Sequence, residues 1–176
     1  MQETTKDERL GSERLGKLMV SLAVPAVAAQ LINVLYNIVD RIYIGHIQGY
    51  GDMALTGVGV TFPIIMLIAA FSAFAGMGGA PLASIQLGKH DYDRAELILG
   101  NSAGLLVIFS VVLTIGFSIF KTPVLYAFGA SETTIQYAES YIGIYLLGTI
   151  FVQFAVGLNT FISGQGEARI AMLSVL

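Results

Sequence analysis

Residues 18–44 read LMVSLAVPAVAAQLINVLYNIVDRIYI. From Leu18 to Val39 no side chain is charged, a run long enough to cross a hydrocarbon core that takes about 20 apolar residues. The second half of this run is nevertheless polar at regular spacing. At about 100° per residue, Gln30, Asn33, Asn37 and Asp40 fall within an arc of roughly 80° on one helix face. An ionised Asp at the centre of a membrane helix costs about 2.5–3.5 kcal/mol on insertion scales. The stripe is therefore expected to face a bundle interior or a wet cavity. Two roles fit the amides: interhelical hydrogen-bond glue worth about 0.6 kcal/mol each, or part of a polar site. Asp40 on the same face points to the site, because acids inside membranes mark ion and proton pathways.

The rest of the chain has the same character. It is 55% hydrophobic and 12% charged, with a mean hydropathy of +0.75, where soluble domains carry about 25% charged residues. Those values define an all-α, polytopic membrane protein. Cysteine is absent from the sequence, which excludes disulfides, thiolate metal sites and cysteine nucleophiles. The net charge of −3 is small and most of the charge lies outside the apolar runs, so nucleic acid is not an expected partner. Ala26-Val27-Ala28 resembles a signal-cleavage site. Pro25, the continuing apolar run and the acids Glu3, Asp7, Glu8 and Glu13 in the leader identify an uncleaved first span instead.

In chain order, residues 1–17 form a polar N-terminal segment and 18–176 the membrane part. Helices are expected at about 18–44, 53–80, 95–120, 135–163 and, cut short, 170–176. Pro25 inside the first helix is an expected kink. The second helix is expected to end near Gly79-Ala80-Pro81, with Ser84 to Gly88 at the interface. Gly76 with Ala80, and Ala75 with Gly79, are small-residue pairs that permit close helix approach. Gly76-x-Gly78-Gly79 is no nucleotide loop, since no strand precedes it. His90, Asp91 and Asp93 offer metal-ligand chemistry, but no further ligand cluster supports them and a solvated turn is the expected role. Lys121-Thr122-Pro123 is expected to break the third helix. On the fourth, Tyr141, Tyr145, Gly148, Ala155 and Asn159 share one face, within roughly 40° of Asn159 on either side. That face suits an amphipathic organic ligand; interfacial anchoring by Tyr141 and Tyr145, with packing by the small residues, suits it equally.

Lys6, Arg9, Arg14 and Lys17 precede the first helix, Lys89 and Arg94 follow the second, and Arg169 follows the fourth. The other side offers Lys121 and Arg41, so the N-terminus is expected in the cytoplasm of a multi-pass plasma-membrane protein. The sequence ends with a fifth helix barely begun, and a longer natural chain is expected.

The order of motifs resembles the start of the multidrug and toxic compound extrusion (MATE) transporters, and is most similar to their bacterial MepA-like members. The resemblance rests on Leu15-Gly16-Lys17-Leu18, Pro25, the run Tyr36-Asn37-Ile38-Val39-Asp40-Arg41-Ile42-Tyr43-Ile44-Gly45, Leu55-Thr56-Gly57-Val58-Gly59, the segment from Gly76 to Gly88, and Gly164-Gln165-Gly166. It covers nearly the whole chain. It implies four membrane helices and the start of a fifth, part of the N-lobe of a twelve-helix transporter that exports amphipathic cationic compounds in exchange for Na⁺ or H⁺. By the same resemblance, Asp40 belongs to the cation or proton site, with Na⁺ the one metal ion it could hold. Tyr36 and Asn33 line the substrate cavity, Tyr141 and Asn159 join the polar network, and Pro25 is the kink proline. Asn37, on the stripe, is grouped with the coupling site, and Tyr145 with the substrate cavity.

No enzyme chemistry and no cofactor beyond the coupling ion are expected. The expected partners are the lipid bilayer, small organic cations and the remaining helices of both lobes. A lipid-linked substrate flippase of related fold is the alternative within transporters. Its cavity would be cationic, whereas the stripe here is acidic and amide. A non-transporting truncated remnant or assembly module is the other alternative.

Overall fold

Hydrocarbon leaves the backbone no partner but itself, so apolar runs of this length should form continuous helices. The computed structural model describes residues 15–174. It contains α1 (Leu15–Gly45), α2 (Gly51–Gly88), α3 (Tyr92–Ala127), α4 (Ile135–Leu147), α5 (Thr149–Gly164) and α6 (Ala168–Leu173). The described residues contain no strand. The expectations for residues 1–14 and 175–176 lie outside the described residues. By length and hydropathy α1, α2 and α3 can each cross a membrane, and α4 with α5 makes a fourth span if the bent pair is one crossing. The chain is an all-α membrane protein.

Three boundaries differ from those expected. α2 runs through Pro81 to Gly88, because one missing N–H does not end a helix whose next turns are packed. Ala80 and Ala83 are buried beside Phe161 and hold that turn in place. α3 likewise runs through Pro123 to Ala127. Leu125 is fully buried in the main core, and the Thr122 hydroxyl donates to the Glu139 carboxylate of α4. The third difference is a break: the helix expected over 135–163 bends by 59° at Gly148 into α4 and α5. Pro25 lies buried inside an uninterrupted α1.

Two helix stops have a local cause. Gly129 (φ +101°) ends α3: its N–H reaches Tyr126 O and the Ala130 N–H reaches Leu125 O, which closes the last turn. Gly166 (φ +81°) ends α5 in the same way, on Ser163 O and Ile162 O.

α2 is the centre of the bundle, packed against α3, α4 and α5, while α1 rests mainly on α6 and only thinly on α2. The main core joins Ile64 and Ile68 of α2, Leu113 and Leu125 of α3, and Ala138, Ile142 and Leu146 of α4. α5 presents Thr149, Gln153, Gly157 and Phe161, one residue per turn, to this centre. Small residues set the closeness of the approach. A Cβ on Gly76 would lie 2.5 Å from Gly157 O and 2.6 Å from Thr160 Oγ1, and one on Gly79 would lie 2.6 Å from the Phe161 ring. The small-residue pairs read from the sequence do mark the α2–α5 crossing. There Ser72 Oγ donates to Gln153 Oε1 at 2.5 Å, and Gln153 Nε2 donates to Ile68 O at 3.3 Å, with both side chains fully buried.

Gly76→Ala is expected to destabilise the bundle by about 1–3 kcal/mol, because the backbone of α5 must shift to admit the methyl group. Gly59 meets nothing within 4 Å of an added Cβ, so Gly59→Ala should leave stability unchanged or slightly raised. Thermal unfolding in detergent, with the two variants side by side, checks both.

Candidate functional site

The polar stripe of α1 lies on a helix that the rest of the chain scarcely covers. Asn33, Tyr36 and Asn37 are exposed and Asp40 is half-buried. Asn37 Nδ2 donates to Asn33 O at 2.8 Å and Asn33 Oδ1 at 3.1 Å, so the two amides brace each other one turn apart. Asp40 lies one turn above Tyr36 on the same helix. Both, with Arg41, are close enough to Tyr141 of α4 for their charges to act on its hydroxyl. Tyr145, one turn along α4, is within electrostatic reach of Tyr141 and packs against the main core. Tyr141 of α4 thus stands within electrostatic range of Asp40 and Tyr36 of α1, with Tyr145 one turn further along α4.

Arg41, the next residue, is turned to α2. Its guanidinium lies 4.4 Å from the centroid of the Phe62 ring on α2, a cation–π contact that ties the end of α1 to the bundle. The Asp40 carboxylate is therefore an acid on a membrane helix without an ion-pair partner among the described residues, with Tyr141 within electrostatic range.

The Asn159 amide is engaged on α6. Its Nδ2 donates to Ala171 O at 2.7 Å and Ser174 Oγ at 2.8 Å, so the amide holds α6 against α5. The bend at Gly148 breaks the face that joins Tyr141 to Asn159 in a straight helix. The loop at 90–93 also has a local purpose. His90 (φ +60°) closes the end of α2, with its N–H on Leu87 O and the Asp91 N–H on Gln86 O. Asp91 then caps α3 by accepting from the Arg94 N–H at 3.2 Å.

Gln153, which joins α5 to α2, lies off the Tyr141–Asn159 face and so was not among the candidates read from the sequence. The signal was present all the same: an amide in an apolar helix, spaced four residues from Thr149 and Gly157.

The profile of the MatE family matches residues 25–176, and the chain belongs to that family of membrane transporters. Two curated relatives are both called "Multidrug export protein MepA". The one from Staphylococcus haemolyticus (strain JCSC1435) is 25% identical over 174 residues. The one from Staphylococcus saprophyticus subsp. saprophyticus (strain ATCC 15305 / DSM 20229 / NCIMB 8711 / NCTC 7292 / S-41) is 27% identical over 178 residues. Each match takes in 97% of this chain and 38% of the relative, so the chain spans well under half the length of the proteins it resembles. A solved structure described as "Crystal structure of MATE in complex with MaD5" superposes with a TM-score of 0.81 at 27% identity, over 90% of this chain and 36% of that one.

Asn159→Leu is expected to loosen α6 while leaving the α1–α4 group in place. Losing two hydrogen bonds of about 1 kcal/mol each should speed hydrogen exchange over residues 168–174 by roughly five- to thirtyfold. Unchanged exchange there would free Asn159 for a role beside Asp40.

Proposed function

We propose that this chain is the opening part of a cation-coupled multidrug exporter, in which Asp40 carries the coupling ion. The observation that carries the reading is the Asp40 carboxylate, without an ion-pair partner among the described residues, on an otherwise apolar membrane helix and within electrostatic range of Tyr141 in a MatE-family fold. Burying a carboxylate without a partner is costly, so a bound cation or a proton is the natural resolution. Na⁺ would find carboxylate and hydroxyl oxygens here, a donor set suited to a hard cation. A proton would neutralise the same group.

An amphipathic organic cation competes for that neutralising role. When the coupling ion occupies Asp40 the charge that attracts the drug is gone, and when the ion leaves the charge returns. Alternation between the two states exchanges one cation for the other. Tyr36 and Tyr145 supply aromatic faces for such a compound, and Asn33 and Asn37 supply amides at the edge of the stripe. The exposed side of α1 is where the remaining helices of the transporter would close the cavity. In this reading the N-terminus lies in the cytoplasm, Asp40 sits toward the outer half of the plasma membrane, and the surrounding apolar faces meet lipid.

Asp40→Asn is expected to abolish ion-driven efflux of a lipophilic cationic dye such as ethidium, with the protein still produced and inserted normally. Dye efflux from cells carrying each form, normalised to membrane-protein level, checks it. Undiminished efflux by the variant would remove Asp40 from coupling.

A further inference from the structure

The bend between α4 and α5 has no proline to explain it. Residues 145–150 read YLLGTI. Sharp bends arise at proline, at glycine or serine pairs, at π-bulges, or where a side chain intrudes on the backbone ladder. Gly148 is not held in a conformation that demands glycine: its φ is −84° and its ψ −5°. An added Cβ would meet nothing closer than Tyr145 O at 3.5 Å, an ordinary contact. The intruding side chain comes from α3 instead. Thr114 Oγ1 donates to Leu146 O at 3.3 Å, a carbonyl that an unbroken helix would give to the Ile150 N–H.

The neighbouring groups complete the break. The Gly148 N–H reaches Tyr145 O at 3.0 Å and Ile144 O at 3.4 Å, the Thr149 hydroxyl reaches Tyr145 O at 3.3 Å, and the ladder resumes with the Val152 N–H on Gly148 O. Leu146 is 2% exposed and Thr149 fully buried, while Thr114, Tyr145 and Gly148 are half-buried. Beyond the bend, α5 is fixed to α2 by Gln153 and Ser72. Before it, α4 carries Tyr141 and Tyr145. The angle at Gly148 therefore relates the arm fixed on α2 to the segment that carries those two tyrosines.

We propose that Thr114 is a positioning residue for the proposed site: by taking the Leu146 carbonyl it fixes the α4–α5 bend, and with it the direction of the helix that carries Tyr141 and Tyr145. The role in transport rests on the function proposed above; the role in the bend does not. Thr114→Val keeps the shape and removes the hydroxyl, whereas Thr114→Ser keeps the hydroxyl.

The chain has no cysteine, so Gln136→Cys and Ser163→Cys, both at exposed positions, give spin labels at the two ends of the bent pair. A 1.5 Å rise per residue and the 59° bend put their Cα atoms roughly 35 Å apart, against roughly 40 Å in a straight helix. Pulsed electron paramagnetic resonance on the membrane-reconstituted protein reads this distance. Thr114→Val is expected to lengthen it toward the straight value, Thr114→Ser to restore it, and Gly148→Ala to leave it unchanged. In dye efflux, Thr114→Val should raise KM severalfold and Thr114→Ser should return it to normal. An unchanged distance in Thr114→Val, or a straightened pair in Gly148→Ala, overturns the assignment of the bend. A lengthened distance with an unaltered KM overturns the positioning role. Efflux that survives Asp40→Asn counts against the coupling reading alone, because the distance measurement does not depend on transport.

Discussion

Hydrocarbon accepts no hydrogen bond, so each polar group inside this bundle needs a partner within the protein, and the architecture follows from how that need is met. Gln153 meets it by gripping Ser72 and the Ile68 carbonyl across 81 and 85 residues of sequence. A buried amide pair of this kind fixes register as well as contact, because sliding α5 by one turn would leave both ends unsatisfied. The glycines around it allow the grip. Gly76 and Gly157 bring the two backbones close enough for the short Ser72 hydroxyl to reach its acceptor.

The same constraint explains the bend. A broken helix at membrane depth must rehouse its freed carbonyls, and Thr114 and Thr149 do so from either side of the gap. α5 is thereby held as a rigid arm on α2, and α4 leaves it at a defined angle toward α1. Asp40 makes no ion pair among the described residues.

α1 differs from the other helices in its support. It rests on α6 and on a thin contact with α2, helped by Arg41 over Phe62 and by the stacking of Tyr50 on Tyr137 just beyond its end. A helix so sparsely packed can move as a unit more easily than α2, which is enclosed by three neighbours. The site thus joins a loosely held element carrying the acid to a firmly held one carrying the tyrosines. That pairing suits alternation between two states.

The sequence by itself determined the class and the principal acid. Charge-free runs of bilayer length can only be membrane helices, and a 3.6-residue period placed Gln30, Asn33, Asn37 and Asp40 on one face without reference to any neighbour. The small pairs around Gly76 were also legible, because they depend on the residues' own size. Only the tertiary structure decided the rest. Whether Pro81 and Pro123 end a helix depends on what their flanking turns pack against, and here buried Ala83 and Leu125 carry the helices onward. Whether the stripe from Tyr141 to Asn159 is continuous depends on Thr114, 32 residues before the carbonyl it takes. Periodicity reads one helix at a time, whereas the partner of a buried amide or a freed carbonyl lies on another helix. That is why the partners of Asn159 on α6 and of Gln153 on α2 were not legible from spacing alone.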